Sequence, residues 1–253
     1  MIGFDIFRTR FARDIVATFK PAPRHTNKVA ILLPGCPGYA LGKRDLMEFM
    51  TRKGFFTILP SYRGTWESDG EFLKYPPSED VDLIINELSS GFRDLWSESE
   101  YAIPAPEVYL FGGSFGGAAS ILASRNEKVV KAVSISGVVD WREQKHTVEP
   151  LELMSEYMPK AFGQGYRPGN HIAERLEAGD FYNPVHEKAS IDGSKLLLIH
   201  GKGDRVVHAA PAKAFAKEVG ARYVELTTPD HMGVSATSEP RVWKHIERFL
   251  KSK

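Results

Sequence analysis

Short, continuous apolar runs alternate with longer amphipathic stretches along the chain. Residues 29–33, 55–59, 107–111 and 195–200, together with Val129–Ile135, are apolar with little polar alternation. That is the pattern of strands buried on both faces of a parallel sheet. Between them lie segments with helical spacing. These are residues 45–53, stopped by Gly54; 78–95, opened by Ser78-Glu79-Asp80; 116–125, built from small residues; Ala209–Val219, closed by Gly220; and Pro240–Leu250. Residues 1–20 read as a hairpin of half-buried strands, and Arg222–Leu226 as a last strand. Strand and helix take turns, which predicts an α/β fold: a mostly parallel central sheet flanked by helices. Residues 141–191 break the rhythm. Their periodicity is weak and they are rich in aromatic residues, among them Trp141, Tyr157, Phe162, Tyr166, Phe181 and Tyr182. We read residues 1–253 as a single domain with residues 141–191 inserted as a cap; a packing element with no part in an active site is the alternative.

Composition narrows the function. With 253 residues the chain fits one large α/β domain, and 33 basic against 32 acidic residues leave a net charge of +1. Nothing in that balance points to nucleic acid or an anionic membrane, so a small molecule is the expected partner. Cys36 stands alone, so no disulfide forms within the chain, which suits a reducing compartment. The first twenty residues carry Arg8, Arg10 and Arg13 and lack the apolar core of a signal peptide. No run approaches the ~18 apolar residues of a membrane span. A soluble, cytoplasmic protein is expected, with a homo-oligomer left open. No zinc-type ligand spacing occurs, and neither metal nor cofactor is implied.

The chemistry concentrates in three places. Gly112-Gly113-Ser114-Phe115-Gly116 fits G-x-S-x-G, following one apolar strand and opening a small-residue helix. A sharp strand-to-helix turn there exposes the serine Oγ, and the helix N-terminus offers N–H groups to developing negative charge. A serine hydroxyl needs a base. Of eight histidines, His231 lies in the polar loop 227–233 between the last strand and the last helix, where a base belongs. Asp204, just past the apolar run 195–200, is the candidate to hold and orient that base, with Asp140 as a rival. The order Ser114, Asp204, His231 is the nucleophile–acid–base order of α/β hydrolases. The oxyanion donors are expected from the N–H of Phe115 and from the loop 34–39; Pro37 has no N–H, which leaves Cys36. Cys36 as a nucleophile is a competing reading, though no histidine is placed to activate it.

Over nearly its whole length the chain resembles the α/β-hydrolase superfamily. Within it, Tyr62-Arg63-Gly64, Gly112 through Gly117, Val139-Asp140-Trp141, and Leu197 through Gly201 with Asp204-Arg205-Val206 resemble the catalytic domain of the prolyl-oligopeptidase family and related esterases. The resemblance maps that family's Ser, Asp and His onto Ser114, Asp204 and His231. It departs at Pro34, where the family's oxyanion loop usually has histidine or glycine. A propeller domain is not expected in the ~20 residues before the first core strand, since one blade alone takes about forty, and Arg63, Arg142 and Arg167 are the loop cations that could hold a peptide terminus. We therefore favour an esterase of short acyl esters; the resemblance implies an acyl-enzyme on Ser114, and Tyr39, Trp66 and Trp141 are candidate pocket walls, with core packing as the alternative for each. A small peptidase or amidase, or a non-catalytic binding module on the same fold, are the alternatives.

Overall fold

The computed structural model describes residues 6–252, so the first five residues of the expected hairpin and Lys253 lie outside the described residues. Among these, one eight-stranded sheet forms the frame. Its strands in chain order are β1 (Phe7–Phe11), β2 (Ile15–Lys20), β3 (Lys28–Leu33), β4 (Phe56–Pro60), β7 (Glu107–Gly113), β8 (Val129–Ile135), β9 (Leu196–Gly201) and β10 (Arg222–Leu226). They lie in the order β1-β2-β4-β3-β7-β8-β9-β10, with β5 (Phe92–Arg93) and β6 (Glu100–Tyr101) as a separate short ribbon. From β4 to β10 every neighbouring pair is parallel, and β1 and β2 run antiparallel at one edge.

Alternate residues of the central strands feed two cores, one on each face. Val29, Ile31 and Leu33 of β3 and Leu196 and Leu198 of β9 join one core, while Ala30 and Leu32, and Leu197 and Ile199, join the other. This explains why these strands read as unbroken apolar runs. The first core takes in α2 (Pro77–Glu87), α3 (Phe115–Ala123) and α6 (Ala209–Val219). The second takes in α1 (Arg44–Arg52) and α7 (Pro240–Leu250). No helix among the described residues is long and apolar enough to cross a membrane.

One helix is shorter than its pattern. Residues 78–95 read as continuous, yet α2 ends at Glu87, and Gly91 turns the chain at φ +103° into β5. Leu88 and Phe92 mimic helical spacing because both are core residues, but Leu95, which completes the apparent stripe, is exposed. The segment 141–191 holds α4 (Leu151–Phe162) and α5 (Ile172–Ala178), and Pro159 inside α4 weakens its periodicity. Leu151, Met158, Tyr166, Ile172, Leu176 and Tyr182 from this segment pack into the first core.

Candidate active site

The candidate residues converge at the C-terminal edge of the parallel strands, where open α/β sheets keep their sites. Ser114 follows β7 with φ +54° and ψ −123°, a positive-φ geometry that non-glycine residues rarely adopt. Its N–H donates to Ile135 O at 2.9 Å, and its carbonyl accepts the N–H of Gly117 at 2.9 Å. This fixes the turn at both ends. Gly116 is needed for close approach, since a Cβ there would stand 2.2 Å from Leu33 O. The phenyl ring of Phe115 turns into the core against Tyr62, Phe72, Trp141 and Tyr182. The hydroxyl of Tyr182 donates to Phe115 O at 2.8 Å.

Asp204 follows β9 and His231 follows β10. Asp204 Oδ2 lies 2.8 Å from His231 Nδ1, and its Oδ1 accepts the N–H groups of Val206 and Val207, each at 3.0 Å. The carboxylate is fully buried, which by itself would raise its pKa. Hydrogen bonds from His200, His231 and the Val207 N–H outweigh that and hold it well below the usual carboxylate range. The His231 loop is carried across the nucleophile turn: a Cβ on Gly113 would stand 2.1 Å from Val234 N. The N–H of Met232 donates to Ser136 Oγ at 3.3 Å. Asp140, the rival acid, is instead bound to the guanidinium of Arg142 and the amide of Asn183.

The loop 34–39 runs beside Ser114, since a Cβ on Gly35 would lie 3.2 Å from Ser114 Cβ. Among the described residues, the N–H groups of Cys36 and Phe115 are committed to no other hydrogen bond. Burial pushes the Cys36 thiol up to about 12, despite a hydrogen bond from Tyr166, so the sulfur stays protonated at neutral pH. Tyr39 is 37% exposed and packs against Trp66 at a 42° tilt, with ring centroids 4.4 Å apart. Phe162 closes on Trp66 from the other side, at 5.7 Å. Tyr39 and Trp66 thus stand together next to the loop. Trp141 does not: it is 2% exposed, stacked on Tyr182, and its indole N–H donates to Tyr182 O at 2.6 Å. The expectation that Trp141 walls a pocket is corrected to a core role. Among the described residues, no cluster of His, Cys, Asp and Glu is arranged to hold a metal.

Sequence reading missed three contributors. His200 is buried with Nε2 2.8 Å from Val207 O and 3.5 Å from Asp204 Oδ2; its place at a strand end suggested only a turn. Tyr62 donates from its hydroxyl to Pro34 O at 3.1 Å, and Tyr166 accepts the Gly38 N–H at 2.9 Å. Tyr62 falls in the segment Tyr62-Arg63-Gly64, but its contact with Pro34, like that of Tyr166 with Gly38, is made across the sequence and leaves no local signal.

Residues 44–253 match the model of the prolyl oligopeptidase family. The chain belongs to that family. The fold is that of the α/β hydrolases. An esterase of Pyrococcus furiosus superposes with a TM-score of 0.69 at 16% identity, covering 97% of this chain and 90% of that one. The acylaminoacyl peptidase of Pyrococcus horikoshii gives a TM-score of 0.65 at 15% identity, covering 97% of this chain but only 40% of the other. An uncharacterized 31.7 kDa Escherichia coli protein from the traX-finO intergenic region is 28% identical over 129 residues, 49% of this chain. That match spans 42% of the curated relative's length. In this prolyl oligopeptidase family member the loop 34–39 lies before the matched residues, so its role rests on geometry alone.

Proposed function

We propose that the chain is a carboxylesterase that cleaves short-acyl esters through an acyl-enzyme on Ser114. The carrying observation is the Asp204–His231 hydrogen bond, together with a serine held at positive φ on a strand-to-helix turn. In this reading Ser114 Oγ attacks the ester carbonyl carbon while His231 Nε2 takes its proton. Asp204 keeps the Nδ1 proton in place and stabilises the imidazolium. The oxyanion that forms accepts from the N–H groups of Cys36 and Phe115. Its collapse breaks the carbon–oxygen bond, and His231 returns the proton to the departing alcohol. A water then gives its proton to His231 and attacks the acyl carbon, releasing the acid and Ser114. Ligand-free sites commonly hold the nucleophile–base contact long, and it tightens when substrate binds.

Three charged side chains support the ester reading over a peptidase. Arg63 is bound to Asp80, Arg142 to Asp140, and Arg167 to the carbonyls of Trp66, Gln164 and Ser68. Each of these three guanidiniums already holds a carboxylate or backbone carbonyls of the chain itself. Tyr39 and Trp66 offer instead an aromatic wall for an uncharged group.

Labelling by a fluorophosphonate and turnover of p-nitrophenyl acetate, butyrate and octanoate, with matched p-nitroanilides, test the reading. Wild type is expected to label, to prefer the short esters over octanoate and anilides, and to lose both activities in Ser114→Ala. Anilide turnover matching the ester rate would establish the peptidase alternative. A folded wild type that neither labels nor turns over would establish a binding module.

A further inference from the structure

Gly38 closes the loop that carries Cys36, and both of its backbone groups are taken by aromatic side chains from elsewhere. Its N–H donates to the Tyr166 hydroxyl at 2.9 Å, across 128 residues of sequence. Its carbonyl accepts the indole N–H of Trp66. The same hydroxyl lies 3.4 Å from Gly38 O. Tyr166 is itself immobilised. It is 3% exposed and packs edge-on against Phe72 at 5.3 Å and Trp66 at 5.6 Å. Its backbone bridges Thr65, while the Trp66 N–H donates to the neighbouring Gly165 O at 2.8 Å.

We propose that Tyr166 is a positioning residue through which the inserted segment 141–191 sets the oxyanion hole. It touches neither substrate nor reacting atoms; its hydroxyl fixes Gly38, and through Gly38 the direction of the Cys36 N–H two residues earlier. The inference rests on the acyl-enzyme reading of Ser114. Its physical basis is the steepness of oxyanion stabilisation. A backbone donor works only when aimed at the place the charge will occupy, and a misplacement of about 1 Å costs on the order of a hundredfold in rate. A loop of Pro34-Gly35-Cys36-Pro37-Gly38 has few side chains with which to anchor itself. A phenol with two rotatable bonds, clamped between rings, is a stiff external anchor.

Tyr166→Phe keeps the ring and removes the hydroxyl. On p-nitrophenyl butyrate we expect kcat to fall by about tenfold, less than the loss of a whole oxyanion donor, with KM within about twofold of wild type. The pH–rate profile should keep its shape, because Asp204 and His231 are untouched. The rate of fluorophosphonate labelling should fall in parallel, since phosphonylation develops charge on an oxygen in the same place. Trp66→Phe, which removes the donor to Gly38 O, should slow labelling in the same way and carries the test if Tyr166→Phe does not fold. An unchanged kcat and labelling rate, or a kcat loss matched by an equal rise in KM, would overturn the proposal. The two readings separate cleanly. If wild type labels and Tyr166→Phe labels equally fast, only the role of Tyr166 falls; if folded wild type does not label, the acyl-enzyme reading falls and takes this inference with it.

Discussion

Asp204 meets His231 Nδ1 at 2.8 Å from a position with no solvent exposure of its own side chain. Only an acceptor at that point holds the proton on Nδ1 and leaves Nε2 free to receive one. Asp204→Asn places an amide there, which favours the opposite tautomer. The expected result is a kcat lower by roughly 10³–10⁴, with KM little changed. Steady-state kinetics on p-nitrophenyl butyrate at pH 8 measures it, and a loss below about tenfold would assign the acid role elsewhere.

The same carboxylate makes stability depend on pH. Its folded pKa lies below the ordinary value of 3.8, so the unfolded chain binds the proton more readily. The stabilisation from Asp204 is therefore present above pH 4 and is lost as pH falls below it. Asp204→Asn should unfold at lower urea than wild type at pH 7, and the gap should narrow at pH 3. Urea midpoints at both pH values decide this; a gap independent of pH would contradict the depressed pKa.

Burial on both faces explains how much of this was legible beforehand. Val129–Ile135 and Arg222–Leu226 fall on the boundaries their apolar content indicates, as do the capped helices Ala209–Val219 and Pro240–Leu250. The placing of Ser114, Asp204 and His231 just past strand ends was legible because the fold delivers strand ends to one edge, and strand ends can be read locally. Trp141 was misjudged because burial in a core and exposure in a cleft draw on the same residue types. The contacts of His200 and Tyr166 could not be read: one sits near the end of an apolar strand and the other in the least periodic segment. Their partners Asp204 and Gly38 are set by tertiary contact.

In the proposed mechanism Cys36 contributes only a backbone N–H, and its thiol should be dispensable. Raised to about 12 from 9.0, the thiol has a thiolate fraction about a thousandfold below that of an ordinary cysteine at pH 8. Cys36→Ala keeps the N–H and should retain kcat within about threefold, far from the hundredfold or more that follows loss of a donor. Dithionitrobenzoate should react slowly with the folded chain and rapidly in denaturant. Abolished turnover in Cys36→Ala would instead favour a thiol nucleophile.

Two glycines on opposite sides of the same contact give the sharpest geometric test. The His231 loop crosses the nucleophile turn so closely that a Cβ on Gly113 would stand 2.1 Å from Val234 N and 2.4 Å from the Gly233 carbonyl carbon. Both are backbone atoms, so no side chain can swing aside; the loop itself must lift, and His231 with it. Gly233 lies in that loop at φ −94°, and a Cβ there meets nothing within 4 Å. Gly113→Ala should therefore lose about 1–3 kcal/mol of stability, as overpacked sites do, and at least tenfold in kcat, since displacement of the base by a fraction of an ångström already misaligns proton transfer. Gly233→Ala should leave kcat within about twofold and stability within about 1 kcal/mol. Thermal unfolding and ester kinetics on both variants measure the contrast. Equal effects from the two substitutions would mean that the loop does not rest on Gly113, and that His231 is held by its bond to Asp204 alone.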